Sequence, residues 1–117
     1  MAYKFERPAG AKMRLGMFIN AEGHHVAAWR HPSSNAGAGQ TIQHYMDMAR
    51  LAEIGKFDML FKADSQSTFG PDDIQNWKRT TSACQLEPIT MFAALSSVTR
   101  NIGLVATSST KIGRAHV

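Results

Sequence analysis

The sequence has a single cysteine, Cys84, and no long uninterrupted apolar run. One cysteine cannot form an intrachain disulfide, so the disulfide framework typical of small secreted domains is excluded. The apolar runs, such as 91–95, fall far short of the roughly 20 residues that span a bilayer. Glu6, Pro8 and Gly10 also interrupt the N-terminus where a secretory signal needs an apolar segment. These absences predict a cytoplasmic protein without a membrane partner.

Clustered positive charge and the common phosphate-binding loops are also missing. The 13 Lys and Arg residues outnumber the 9 Asp and Glu residues, but they are scattered, so we expect no nucleic-acid partner. No GxGxxG follows the first predicted strand and no GxxxxGK[ST] occurs. The segment GAGQT (37–41) lacks the lysine of a phosphate loop and is interpreted as a flexible loop before a helix. Cys84 lies in no nucleophile pattern and is interpreted as structural or incidental.

Hydrophobic periodicity predicts a β-α-β-α-β order. A chain of 117 residues with 44% hydrophobic content can bury a core of its own. Because only a few residues separate the first helix from the next strand, the pattern favours a parallel sheet with right-handed crossovers. The predicted elements are a strand at 13–19, a helix from 41 to 55, a strand at 57–63, a helix from 88 to about 100 and a strand at 102–107. The segment 65–85 is predicted to be a polar connection, either a functional loop or partly ordered.

The first predicted helix carries signals at both ends. Thr41 is expected to cap it, with its hydroxyl accepting a hydrogen bond from the first turn, and Gly55 is expected to end it in a left-handed conformation. A polar line and a wide apolar arc follow from the spacing. The polar line is Gln43, Asp47, Arg50 and Glu53, and the arc is Ile42, Tyr45, Met46, Met48, Ala49, Leu51 and Ala52.

The second predicted helix begins at Pro88, which suits a first helical turn. Two buried stripes fit its sequence, and the spacing does not choose between them. They are Ile89, Phe92 and Leu95, or Met91, Leu95 and Val98.

Parallel sheets bind ligands at the carboxyl ends of their strands, so the residues after each strand are the candidate site. Asp64 could accept hydrogen bonds from a ligand or cap a turn, and residues 107–109 could offer hydroxyls or form a routine turn. The histidines His24, His25 and His31 fit no standard metal spacing, so no metal site is expected. The loop that contains them and Trp29 could instead line a pocket, shuttle a proton, or simply pack.

Several blocks of the chain resemble one enzyme family. MRLGMFINAEGHHVAAWRHP, LAEIGKFDMLFKAD and LEPITMFAALSSVTRNIGLVATSST occur in the order found at the start of the bacterial-luciferase-like flavin-dependent monooxygenases. The similarity is to the subgroup that contains nitrilotriacetate monooxygenase component A, dibenzothiophene-sulfone monooxygenase and long-chain alkane monooxygenase. The resemblance implies the first three β/α units of a (β/α)8 barrel, incomplete in this chain, because such barrels need about 250 residues.

The resemblance also implies a chemistry and its residues. The family uses reduced FMN, supplied by a separate NAD(P)H-dependent flavin reductase, and O2 to oxygenate a small organic substrate. By the same resemblance Asp64, Ala106, Thr107 and Ser108 line the flavin site, while His24 and Trp29 lie on the substrate side as candidate catalytic residues. A homo-oligomer is expected for the full-length protein, although the sequence itself leaves the oligomeric state open.

The sequence departs from the family pattern after Thr110. We expect an N-terminal arm at 1–12, a barrel segment at 13–110 and a non-native tail at 111–117. The tail is expected to be non-native because IGRAHV can be encoded by the start of a widely used sequencing adapter. Such a fragment would be inactive alone. The rival interpretation is a small α/β module that binds a nucleotide or a partner without catalysis.

Overall fold

The computed structural model describes residues 8–25, 27–64, 75 and 85–108. The predicted tail at 111–117, Cys84, Ser109 and most of the 65–85 connection and N-terminal arm lie outside the described residues. The tail and the domain boundaries therefore stay predictions. The described elements are β1 (Gly16–Phe18), 3₁₀ turns at Ala28–Arg30 and Ala38–Gln40, α1 (Ile42–Ile54), β2 (Met59–Lys62), α2 (Pro88–Leu95) and β3 (Gly103–Ala106).

The three strands form one parallel sheet in the order β1-β2-β3, which confirms the predicted order and direction. Each strand is shorter than predicted by two or more residues, because the flanking residues leave the ladder. Gly16 pairs with Met59, which pairs with Gly103, and one pleat further Phe18 pairs with Phe61 and then Val105. Since side chains alternate along a strand, these residues share one face of the sheet.

The opposite face carries the core. Ile19, Leu60, Leu95 and Tyr45 are completely buried, and α1 and α2 pack together there. Fully burying a leucine or isoleucine side chain of this layer contributes roughly 1.5–3 kcal/mol. Within the described part of the chain, no helix is long and apolar enough to cross a membrane.

The first face of the sheet is open. Phe18 is 49% exposed, Met59 41% and Val105 39%. A Cβ added at Gly16 would lie 2.6 Å from the Met59 methyl carbon, so the glycine leaves the room that this methionine occupies. Parallel sheets are normally covered on both faces. A sheet with one apolar face uncovered is the arrangement expected of a barrel segment whose remaining strands are missing.

Two details of the predicted α1 are wrong. The Thr41 hydroxyl donates to the Ala38 carbonyl at 3.0 Å and caps no N–H, because the preceding 3₁₀ turn presents that carbonyl to it. Gly55 has φ −72°, and the left-handed position falls one residue later, at Lys56 with φ 61°. The Phe57 N–H then bonds the Ala52 carbonyl at 3.1 Å, which closes the helix end as a Schellman motif.

The apolar arc of α1 is narrower than predicted. Tyr45, Ala49 and Ala52 are buried, whereas Leu51 is 69% exposed. Three residues of the polar line interact: Gln43 and Arg50 both donate to Asp47, at 2.8 and 3.0 Å. The face of α1 toward the core is thus formed by one large aromatic side chain and two alanines.

The start of α2 combines two N-terminal signals. Pro88 occupies the first turn, as predicted, and the Glu87 carboxylate accepts from the N–H groups of Ile89 and Thr90. The buried stripe is a mixture of the two predicted ones, because Met91, Phe92 and Leu95 face the core. Ile89 is 53% exposed.

Two carboxylates tie the loops at the amino edge of the sheet. One Glu53 oxygen accepts from three consecutive backbone N–H groups, those of residues 100–102, at 2.5–3.2 Å. Asp58 accepts from the Arg14 guanidinium at 2.7 Å and from the Leu15 N–H at 2.8 Å. These bonds fix the turns that lead into β3 and β1.

Acid is expected to weaken these ties. Hydrogen bonds from Asn101 and Arg100 lower the pKa of Glu53, and those from Arg14 and Leu15 lower the pKa of Asp58. A carboxyl whose pKa is lowered in the folded state stabilises the fold at a pH above its ordinary pKa, here 4.5 for Glu53 and 3.8 for Asp58. This contribution is lost as the pH falls from the ordinary pKa through the lowered folded-state pKa. The melting temperature of the intact protein should fall below about pH 4.5, and less steeply in Glu53→Gln. Parallel curves for the two proteins would contradict this assignment.

Candidate functional site

The carboxyl ends of β2 and β3 are joined by a direct hydrogen bond. The Asp64 backbone N–H donates to the Thr107 hydroxyl oxygen at 2.7 Å, and the Thr107 N–H donates to the Lys62 carbonyl at 3.2 Å. The two positions predicted from separate strand ends therefore meet at one edge. A hydroxyl that accepts one hydrogen bond can also donate its own hydrogen, so the Thr107 side chain has the chemistry to donate to a ligand.

The other two predicted flavin-site residues flank this contact. Ala106 pairs with Lys62 and its half-buried side chain packs against the core, so only its backbone can reach the edge. Ser108 follows Thr107 and is exposed. The residue types there are small, which leaves the strand end accessible.

The loop after β1 places His24 over the open face. Its Nε2 lies 3.1 Å from the Phe18 carbonyl, and its ring lies 4.9 Å from the Phe18 ring. A carbonyl can only accept, so Nε2 carries the hydrogen and, in the neutral ring, Nδ1 is left as an acceptor. Phe18 in turn contacts Phe61 edge to face at 5.1 Å. Sequence reasoning places both phenylalanines in strands but misses this aromatic cluster, because only the register brings them together.

The other two histidines of the loop make local turns. The Ala27 N–H donates to Nδ1 of His25 and the Ser33 N–H donates to Nδ1 of His31, each at 3.1 Å. Both rings thus stabilise the backbone that carries them. Among the residues that the structure describes, no group of three His, Cys, Asp or Glu side chains is arranged to hold a metal ion.

The same loop is fastened to α1 and to the turn before it. His44 Nε2 bonds the Ala21 carbonyl at 2.9 Å, and Gly37, at φ 84°, donates its N–H to Glu22 at 2.8 Å. Tyr45 donates to the Gly39 carbonyl at 3.3 Å. Burial, and secondarily the Glu22 charge, raises the pKa of Tyr45, which keeps its hydroxyl protonated as a donor. GAGQT is therefore an ordered support for the loop.

Trp29 lies in the first 3₁₀ turn of this loop and is half-buried. The Arg30 guanidinium carbon lies 4.9 Å from its ring centroid, a cation–π distance. His24 is attached to the end of β1, whereas Asp64 and Thr107 connect β2 to β3, and the Phe18–Phe61 contact bridges the two groups.

Comparison with known proteins gives consistent results. No protein-family model matches the chain. It is 41% identical to N-acetyl-S-(2-succino)cysteine monooxygenase of Bacillus subtilis over 85% of its own length and 21% of that enzyme. It is 38% identical to nitrilotriacetate monooxygenase component A of Aminobacter aminovorans, over 87% of the chain and 24% of the relative. The dibenzothiophene-sulfone monooxygenase of Rhodococcus erythropolis is 35% identical over 84% of the chain and 23% of the relative.

The fold comparison agrees with the sequence comparison. A crystal structure of riboflavin lyase, with modified FMN and its substrate riboflavin, matches 89% of this chain with a TM-score of 0.69 and 28% identity. The match covers 24% of that structure, and the chain spans about a fifth to a quarter of the curated relatives that it matches. The sheet is thus the first three β/α units of a (β/α)8 barrel, incomplete in this chain. Over most of its own length the chain is thus similar to part of the bacterial-luciferase-like flavin-dependent monooxygenases.

Proposed function

We propose that the whole protein is an FMN-dependent two-component monooxygenase, which uses reduced FMN and O2 to oxygenate a small organic substrate. The observation that carries the proposal is the joined edge of Asp64 and Thr107 beside an open aromatic face. In a barrel, that face lines the interior and that edge forms part of the mouth where ligands bind. The relatives with monooxygenase names support the same activity.

The residues at this edge fit a flavin ring. An isoalloxazine has carbonyl acceptors and a ring N–H along one side, and flat apolar faces. The Thr107 hydroxyl and the Ser108 backbone offer donors, the Asp64 carboxylate offers an acceptor, and Phe18 and Phe61 offer an apolar wall. Bound reduced FMN supplies the electrons that activate O2. The phosphate-binding residues would come from sequence outside this chain.

The loop that carries His24 and Trp29 is proposed to cover the substrate side. Its bonds to α1 hold it over the end of β1, where it would exclude water from the reacting atoms. His24 would offer its Nδ1 lone pair as a hydrogen-bond acceptor to the substrate, and Trp29 would supply an apolar surface. Both are proposed as catalytic residues because they would contact substrate.

A flavin reductase is the proposed partner, with NAD(P)H as its electron source. Reduced FMN would then reach the open edge by diffusion or transfer between the two proteins. We also propose a cytoplasmic location, in line with the single cysteine of the sequence. A homo-oligomeric state of the whole protein is proposed from the resemblance to the family.

The test is an assay of the intact protein with a flavin reductase, NADH, FMN and O2. A panel of substrates chosen from the relatives' names would include nitrilotriacetate, N-acetyl-S-(2-succino)cysteine and dibenzothiophene sulfone. Formation of an oxygenated or cleaved product that depends on FMN, the reductase and O2 together supports the proposal. Failure of the intact protein to bind FMN would contradict it.

Truncating Phe18 should raise the KM for substrate, because this residue also supports the His24 ring on the proposed substrate side. In Phe18→Ala the edge-to-face contact with Phe61 and the support of the His24 ring are lost. We expect substrate KM to rise about two- to tenfold, since such aromatic contacts contribute roughly 0.5–1.5 kcal/mol beyond buried area. Steady-state kinetics at saturating reductase measures this. Ile89→Ala, at an exposed position on α2, is the control, and equal kinetics in both variants would contradict the assignment.

A further inference from the structure

One buried cation is unused by the proposed chemistry. Lys62, at the end of β2, is 4% exposed and is the buried charged side chain among the described residues. It lies on the face of the sheet that packs against the helices, away from the open face. Desolvation lowers its pKa, because burial disfavours the ammonium form. A lysine at a core position is costly, so its retention calls for a reason other than packing.

The contacts of Lys62 connect three segments at the proposed flavin edge. Its ammonium donates to the Gln85 side-chain oxygen, just before the N-cap of α2. Its carbonyl accepts from the Thr107 N–H, on the neighbouring strand end. Asp64 follows two residues later and bonds Thr107 as well. Lys62 thus links the start of α2, through its side chain, to the neighbouring strand end at Thr107, through its backbone carbonyl.

We propose that Lys62 is a positioning residue, which holds the Asp64–Thr107 edge in its flavin-binding geometry through Gln85. This inference rests on the proposed function. Lys62 is buried on the helix-facing side of the sheet, so it would act on the flavin only through other residues. The Lys62 side chain holds the segment before α2 against the end of β2. This contact would keep the backbone at Asp64 in place relative to β3.

The energetics separate this role from a merely structural one. Replacing a buried ammonium by an apolar side chain of similar length removes a desolvation cost, so Lys62→Met should not lower stability. Gln85 is exposed, and water can take over its oxygen in that variant. If Lys62 is a positioning residue, the Lys62→Met variant should bind flavin more weakly without a lower melting temperature.

The experiment measures two quantities on the intact apoprotein: the FMN dissociation constant, from quenching of flavin fluorescence, and the melting temperature. We expect Lys62→Met to bind FMN about tenfold more weakly, since a hydrogen bond from a charged donor can carry an effect of that size. Gln85→Leu should weaken binding similarly, and the double variant should be no worse than either single one. Lys12→Met, at an exposed lysine, should match the wild type.

A stability control distinguishes the alternatives. Ile102→Val removes a methylene from the core before β3, and it should lower the melting temperature while leaving FMN affinity unchanged. Wild-type FMN affinity in Lys62→Met would overturn the inference and leave the proposed function standing. An affinity loss that only follows a lowered melting temperature would overturn it too. Absence of FMN binding in the wild type would overturn both.

Discussion

Expressed alone, the 117-residue chain is expected to aggregate or to unfold without a cooperative transition. Among the residues that the structure describes, the three strands leave both edges of the sheet unpaired, and the open face exposes Phe18, Met59 and Val105. Unpaired edges template association with other chains, and an uncovered apolar face associates with any similar surface. Size-exclusion chromatography with light scattering, followed by calorimetry, measures both properties. No substrate turnover is expected from this chain.

Matched variants can assign the cause of aggregation to the open face. Val105→Thr keeps the shape of a residue on that face and adds a hydroxyl, so it should raise the soluble fraction. Leu51→Gln removes an exposed leucine from the outer side of α1 and should have less effect, although Leu51 is 69% exposed. A soluble monomer with one sharp thermal transition would contradict the prediction.

The second large effect is expected from Asp64→Ala in the intact protein. The carboxylate would lose its hydrogen bonds to the flavin ring, and bonds of a charged acceptor contribute about 1.5–3 kcal/mol each. That range corresponds to roughly a ten- to hundredfold weaker FMN affinity, and kcat/KM should fall at least as far. Titration of the apoprotein with FMN measures the binding part directly.

Asp47→Asn is the matched control for this variant. Asp47 is an exposed aspartate on α1, bonded to Gln43 and Arg50, and its replacement should leave FMN affinity unchanged. Thr107→Val, which removes the hydroxyl that receives the Asp64 N–H, should reproduce part of the loss. Wild-type affinity in Asp64→Ala would contradict the placement of flavin at this edge.

The parts of the fold that depend on local pattern could be predicted from the sequence. The strand order and the start of α2 at Pro88 follow from periodicity and backbone chemistry, and the structure confirms them. The left-handed residue at Lys56 could not be predicted, because it depends on where the last hydrogen bonds of α1 close. Leu51 was expected inside because the sequence does not show how far the sheet extends beneath the helix.

The candidate site could likewise be predicted from the sequence only in part. Asp64 and Thr107 could be predicted as neighbours, because strand ends of a parallel sheet share an edge. The Phe18–Phe61–His24 cluster depends on strand register, and the Lys62–Gln85 contact joins residues separated by the polar connection. Two of the three loop histidines support turns, a role that no spacing rule distinguishes from ligand binding.

Whether these three β/α units are part of a flavin-binding barrel decides every proposal made for the site. The sharpest test is to sequence the gene beyond codon 110 from unamplified source DNA, and to titrate the protein encoded by that frame with FMN. We predict a frame that continues into five further strand–helix units and a protein that binds FMN. A stop codon directly after Val117, with a chain that folds cooperatively and binds no flavin, would contradict the barrel and favour the small binding module.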